Sequence, residues 1–287
     1  MKFLLLLLIF VCGPMLFAQK SMIQLQLKKG KIYCHNLDSQ SEIFQKANGK
    51  TTKMNMHISA RITYKVKSVK KGIYNLETQY TKMDISMVQA DGNEINFHSD
   101  KPSEEILSNF FYQMCKTPFF ITMSSSGEIL SVKGIERLVD NGVKGLELSP
   151  EKIAQMKKSL NESYGEKAFK GNFEIITLIY PKIAVALNES WVTETTIFSS
   201  QIQAKLKTNY QLVEANDDYL KLTGESEMVS DEQTASLKML GSANINLSLD
   251  KNTGWIHSAK VDQILRIGNK EDANYSFTKV KTTYSNQ

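Results

Sequence analysis

Ser149 stands three residues before Lys152, and Ser68 before Lys71, a spacing that arises easily in a chain this rich in serine and lysine. At a helix start that spacing lets a lysine amine take the proton of a serine hydroxyl, the device of penicillin-binding enzymes. The Ser-Asp-Asn and Lys-Thr-Gly segments that complete such a site do not occur in the chain. A hydrolase acting outside the cytoplasm, with Ser149 and Lys152 as its working pair, is therefore the alternative to a non-enzymatic reading. His35, His57, His98 and His257 fall on separate strands and turns, with no pair at the spacing of a zinc-binding helix, and read as surface or turn residues. Cys34 and His35 are neighbours on a strand, so their side chains point to opposite faces and cannot act as nucleophile and base. The run Asp250-Lys251-Asn252-Thr253-Gly254 begins like a calcium loop but has glycine where a third ligand belongs, which leaves a hairpin turn. Asp217 with Asp218, and Glu225 with Glu227, sit among polar strand and turn residues and read as solvated charge. No glycine-rich phosphate loop occurs, and Trp191 and Trp255 open strands, where an aromatic packs in a core. The sequence thus assigns no catalytic residue, no cofactor and no metal.

Compartment is more legible. Lys2, the apolar run 3–11, the Gly13-Pro14 break and Ala18 have the layout of a secretory signal peptide over residues 1–18, cleaved after Ala18. The chain is expected to be exported, to a periplasm or beyond. A lipoprotein cleaved at Cys12 is the other reading, but Val11 stands where that signal wants a small residue. The most apolar later stretch, 175–187, is too short to span a bilayer and is broken by Pro181 and Lys182, so no transmembrane segment is expected in the mature chain. A formal charge of +5 is mild for 287 residues, and no nucleic-acid-binding module is visible. Lys65, Lys67, Lys70 and Lys71 form the densest basic run and read as a solvated strand edge and turn, with an anionic membrane surface as the alternative. Cys34 and Cys115 remain after cleavage. They form one disulfide, which would add about 4 kcal/mol by closing a long loop, or they are two separate buried thiols.

These residues need a scaffold, and periodicity supplies one. From 53 to 66 the residues Met54, Met56, Ile58, Ala60, Ile62, Tyr64 and Val66 alternate with polar ones, and the same pattern returns from 202 to 212. Strands that long must coil, and their polar outer face makes the sheets antiparallel. Placing Tyr64 on Tyr210 also brings Val66 onto Leu212, Ile73 onto Tyr219 and Leu76 onto Leu222, which argues for an internal repeat. Between the repeats, Ile106, Leu107, Phe110, Phe111 and Met114 recur at helical spacing, and Ser149-Pro150-Glu151 opens a helix that Gly165 stops. Residues 255–267 and 275–284 read as a final hairpin. The expected fold is mainly β (α+β): two related halves of long curved antiparallel strands, at 19–135 and 181–287, joined by a helical connector at 136–180.

The leader, the early Leu27-Lys28-Lys29-Gly30-Lys31-Ile32-Tyr33, the central Phe120-Ile121-Thr122-Met123 with Gly127-Glu128-Ile129 and Val132-Lys133-Gly134, and Pro181 with Asn188-Glu189-Ser190-Trp191 carry a resemblance. Together they resemble an exported bacterial family known as domain of unknown function 6263, over most of the mature chain. These motifs mark turns and strands, so the resemblance implies a fold and no activity; Asn188-Glu189 departs from the Gly-Asp that similar proteins show there. The leading functional expectation is a non-enzymatic envelope protein that binds a hydrophobic ligand or a protein partner, a lipid or another envelope protein, with Phe110, Phe111, Met114, Tyr64 and Tyr210 lining an apolar pocket. A structural or adhesion module working through exposed strands is the third reading.

Overall fold

A computed structural model describes residues 20–144, 146–199, 202–230, 238–268 and 270–286. The leader, with Cys12 and Ala18, lies outside them. The first strands are β1 (Ile32–Ala47), β2 (Lys50–Lys70), β3 (Ile73–Gln89) and β4 (Glu94–His98). Helix α1 (Ile106–Cys115) precedes β5 (Phe119–Ser124) and β6 (Ile129–Lys133). Three helices follow, α2 (Ile135–Gly142), α3 (Pro150–Tyr164) and α4 (Glu166–Thr177). The chain ends on β7 (Ser190–Ser199), β8 (Ile202–Ala215), β9 (Tyr219–Ser230), β10 (Met239–Asp250), β11 (Ile256–Ile267) and β12 (Tyr275–Ser285).

The alternating segments lie within long strands. Residues 53–66 lie inside β2 and residues 202–212 inside β8, each burying one row of side chains and exposing the next. Two-residue turns set the register of the first hairpins. Asn48-Gly49 joins β1 to β2 and Lys71-Gly72 joins β2 to β3, with φ between 49° and 76° at all four residues, the turn whose twist matches that of the strands. The helices start where side chains can cap them. Glu105 accepts from the Leu107 and Ser108 N–H groups at α1, and Ser149 accepts from the Lys152 N–H at α3, with Pro150 in the first turn.

Among the described residues twelve strands form one antiparallel sheet, in the order β6-β5-β3-β2-β1-β12-β11-β10-β9-β8-β7, with β4 paired to β3. The first and last strands of the chain are neighbours in its middle, in register from Asn36 opposite Ser285 to Lys46 opposite Tyr275. The two edges, β6 and β7, are consecutive in sequence, and α2, α3 and α4 lie between them. A flat sheet would hold those edges about 48 Å apart. Yet α4, about 18 Å long, packs on both. The sheet is therefore curled into an open trough with α4 spanning the gap. Bulges between Arg61 and Ile62, Val66 and Ser68, Leu212 and Glu214, Thr122 and Met123, and Ser248 and Leu249 add the bending that so long a sheet requires.

The concave side is filled from one end. Residues 20–31 run across it, pairing Ser21 with Val185 and bonding Leu25 to Ser125 and Gln26 to Thr253, so that Ile23, Leu25 and Leu27 are buried. A Cβ on Gly254 would run into the Gln24 carbonyl, so the close crossing of this segment over the β10–β11 turn requires glycine there. Among the described residues no helix is long and apolar enough to cross a membrane.

Candidate functional site

Alternation on β2 and β3 turns Ile58, Tyr80, Met83 and Ile85 toward the concave side. Over them lie α1 with Leu107, Phe110, Phe111 and Met114, and α2 with Ile135, Leu138 and Val139. Met156 and Leu160 of α3 and Phe169, Asn172 and Phe173 of α4 complete the wall around a cavity of about 440 Å³. Aromatic packing props these walls apart: Phe169 stacks on Phe173 at 4.3 Å, Phe119 meets Phe169 edge-on at 4.8 Å, and Phe110 meets Phe111 at 5.6 Å. The Phe110 ring lies so close over Gly142 that a Cβ would enter it, which lets α1 pack tightly on α2. Tyr80 and Asn172 are the polar side chains that reach the cavity. Burial pushes the Tyr80 phenol up, with the Cys115 and Tyr284 groups adding to it, so its hydroxyl stays protonated and able to donate.

A larger groove, about 760 Å³, opens on the other side of α4 against β7. Its charges are mixed, with Lys167, Lys170 and Lys182 facing Glu128 and Glu194. At its floor the buried Glu174 accepts from the Ile129 N–H of β6 at 2.9 Å and from the Thr195 hydroxyl of β7 at 2.7 Å. One carboxylate on α4 thus clasps both free edges of the sheet. Lys170, one turn earlier at 3.7 Å, is its counterion. Beside it Gly171 lets α4 touch β7, since a Cβ there would meet the Thr196 carbonyl.

Deeper in the trough lies an aromatic cluster. His35 on β1 stacks on Trp255 at 4.5 Å and meets Tyr64 and Tyr284 edge-on. It is 2% exposed, and neither ring nitrogen finds a hydrogen-bond partner; the Tyr64 hydroxyl beside it has none either. Burial lowers the His35 pKa to about 3, the Ile256 carbonyl pulling weakly the other way.

Of the residues read as pocket lining, Phe110, Phe111 and Met114 border the cavity, and Tyr64 and Tyr210 lie elsewhere. Tyr64 belongs to the histidine cluster and Tyr210 is 1% exposed, stacked on Trp191 at 6.0 Å. Both are core: Phe173 of α4 and Trp255 cover Tyr64, and Trp191, directly opposite on β7, covers Tyr210. His35 corrects the surface assignment of the histidines: an apolar face recurring at every second residue includes it, and the Trp255 indole covers its ring. His57 is exposed and bonds Asp38 at 2.7 Å, His98 is exposed and lies 3.6 Å from Asp84, and His257 packs on Tyr219. Cys34 and Cys115 are not joined; the Cys34 thiol lies 3.4 Å from the Asn286 carbonyl, and Cys115 is buried at the end of α1.

The Ser149 hydroxyl caps α3 and Ser68 accepts from Asn75, so neither is arranged against its lysine as a nucleophile. Asp250 holds its own turn by accepting from Thr253, and Glu225 and Glu227 lie on exposed positions of β9. Among the described residues no cluster could hold a metal ion. Sequence reasoning missed the roof: Phe169, Asn172 and Phe173 stand at the i, i+3, i+4 spacing that marks one face of a helix.

A family described as "Family of unknown function (DUF6263)" matches residues 71–256, which include all four helices. Among curated proteins none matches the sequence. A solved structure concerning lipid–protein interactions in lipovitellin matches 91% of this chain with a TM-score of 0.51 and 11% identity. The chain spans 25% of that lipovitellin chain, so the likeness is to one part of it and is of fold alone. An outer membrane channel from Pseudomonas putida F1 (TM-score 0.29, 6% identity, 91% of this chain and 97% of that one) is too remote to bear on the fold. So is OmpF of Salmonella typhi in complex with daunomycin (TM-score 0.27, 6% identity, 91% and 99%).

Proposed function

The chain belongs to the DUF6263 family of unknown function, and from that premise we propose that it is an exported, non-enzymatic carrier of a hydrophobic ligand, held in the cavity between β2–β3 and the four helices. The observation that carries this reading is a void of about 440 Å³ walled almost entirely by apolar side chains. Water is a poor occupant, because a buried water needs two to four polar partners and this wall offers Tyr80 and Asn172. Leaving such a space empty would cost up to about 10 kcal/mol by cavity scaling, an upper bound because the mouth is open. That is as large as the whole stability of an ordinary domain.

Chemistry and size suggest the guest. At about 30 Å³ per water-sized group the cavity takes on the order of fifteen carbons, one acyl chain. Its polar end would meet the Tyr80 hydroxyl or the Asn172 amide. Met83, Met114 and Met156 in the wall adjust to chains of differing length. The lipovitellin fold, found in a structure concerned with lipid–protein interactions, agrees with a lipid as the class of guest.

The halves at 19–135 and 181–287, linked by 136–180, fit the same picture as an internal duplication. Bulges fall between Val66 and Ser68 and between Leu212 and Glu214, the same place once Tyr64 is laid on Tyr210. Gly30 and Asn188 both have positive φ, and each donates to the strand residue, Val66 or Leu212, that returns a bond to the next carbonyl.

Substituting Met156→Trp on the half-buried face of α3 fills the cavity with little strain on the core. We expect at least tenfold weaker binding of a fluorescent fatty acid, with the thermal midpoint kept within a few degrees. Native mass spectrometry of wild-type protein from its own cells should show a lipid adduct that the variant lacks. Equal probe binding by both proteins, and no adduct on either, would sink the carrier reading.

A further inference from the structure

The turn into β1 carries Lys28, Lys29 and Lys31, and the end of β2 with its turn carries Lys65, Lys67, Lys70 and Lys71, all exposed. Backbone pairing makes one surface of these two groups. The Gly30 N–H donates to the Val66 carbonyl, the Val66 N–H to the Lys31 carbonyl, and Ile32 stands opposite Lys65. From Val66 to Lys70 the strand runs about 13 Å, little more than a Debye length at physiological salt, so the seven charges act together. Among them stands one carboxylate, Glu77, taken by Lys67 at 3.1 Å. The other six lysines have no carboxylate partner among the described residues, and the acidic turn at Asp217 and Asp218 lies beyond β12, β11 and β10.

Like charges crowded on an exposed turn give the fold nothing; they raise its self-repulsion. Aliphatic side chains stand among them: Ile32 is 63% exposed, Val69 40% and Ile73 37%. We propose that this end of the sheet docks on the surface of an anionic phospholipid bilayer, the lysines over the phosphates and the three aliphatic side chains in the interface. Lysine suits that partner, being a compact hydrated charge on a flexible stem that needs no fixed geometry in return. A single-stranded nucleic acid would call for rings to stack its bases, and among the described residues Phe120 on β5, exposed beside the patch, lies under Arg137. No residue of the patch lines the apolar cavity, so the docking stands or falls independently of what the cavity holds.

Sedimentation with phosphatidylcholine vesicles, with and without phosphatidylglycerol, tests it on wild-type and variant proteins prepared in the same way. Binding should require the anionic lipid and weaken as salt is raised. Each lysine near the surface is worth about fivefold in partitioning, so the quadruple variant K28Q/K29Q/K70Q/K71Q should lose at least about a hundredfold. Neutralising Lys152, Lys158, Lys205 and Lys207 instead changes net charge equally and should leave binding within about twofold. Circular dichroism, expected to be unchanged because all eight side chains are exposed, certifies folding. Equal losses in the two variants, equal binding to neutral vesicles, or no binding at all would overturn the proposal. Tighter retention on duplex DNA than on anionic vesicles would do the same, by giving the patch to a free polyanion.

Discussion

Acidification from pH 7 to about pH 3 should remove about 4 kcal/mol of stability through His35 alone. The unfolded imidazole titrates near 6.5, whereas the folded one resists protonation down to about 3, because burial against Trp255, Tyr64 and Tyr284 denies the cation solvent and the Ile256 carbonyl offsets only part of that loss. A histidine held neutral contributes stability that is fully present above 6.5 and is lost as the pH falls toward 3, since in that window the unfolded chain binds the proton and the folded chain does not. The slope should approach 1.4 kcal/mol per pH unit. Exposed Glu189, held low by the Ala186 N–H, and Glu214, held low by Lys221, act in the same direction but only at the acid end of this window. Urea titrations at successive pH values, on wild type and His35→Phe, separate them. Phenylalanine keeps the stack and removes two unpaired nitrogens, so the variant should match wild type at pH 7 within about 1 kcal/mol and lose the slope between pH 6.5 and 4.5. Identical slopes in the two proteins would show that another group governs acid unfolding.

Glu174→Ala should cost about 3 kcal/mol or more, the second large effect. Its carboxylate serves one donor on each free edge, and removing it strands the buried Ile129 N–H and Thr195 hydroxyl, at about 1.5 to 3 kcal/mol for each charge-assisted bond. Glutamine at this position can still accept from Ile129 and donate to Thr195, so Glu174→Gln should retain most of the stability. Hydrogen exchange distinguishes a clasp from an ordinary buried residue. In the alanine variant β6 and β7 should exchange faster while β1 and β12, in the middle of the sheet, keep their protection relative to global unfolding. Uniform acceleration over all strands would show that Glu174 does not hold the seam in particular.

On the proposed carrier function the clasp matters because the same helix forms the cavity roof. Phe169, Asn172 and Phe173 of α4 face the void, and Gly171 and Glu174 face the edge strands. A guest entering beneath α4 therefore loads the element on which the seam depends. Wild type should exchange more slowly at β6 and β7 when filled, and Met156→Trp, already filled by its own indole, should show no further slowing on adding ligand.

The sequence by itself determined the elements. Alternation at 53–66 and 202–212 dictated strands with one wet face, Ser149-Pro150 and Gly165 bounded α3, and the run from Ile106 to Met114 gave α1, because each pattern reports which face of a local element meets water. It also placed Phe110, Phe111 and Met114 on the apolar side of a helix, and they line the cavity. Only the tertiary structure decided that there is one sheet and not two, since the pairing of β1 with β12 joins the ends of the chain and no local pattern encodes a partner so distant. It likewise decided the burial of His35 and the clasp at Glu174, where the sequence shows a histidine and a glutamate like any others. Periodicity states that a side chain is turned inward. What it meets there depends on how the sheet curls, and that is set by contacts among residues far apart in the chain.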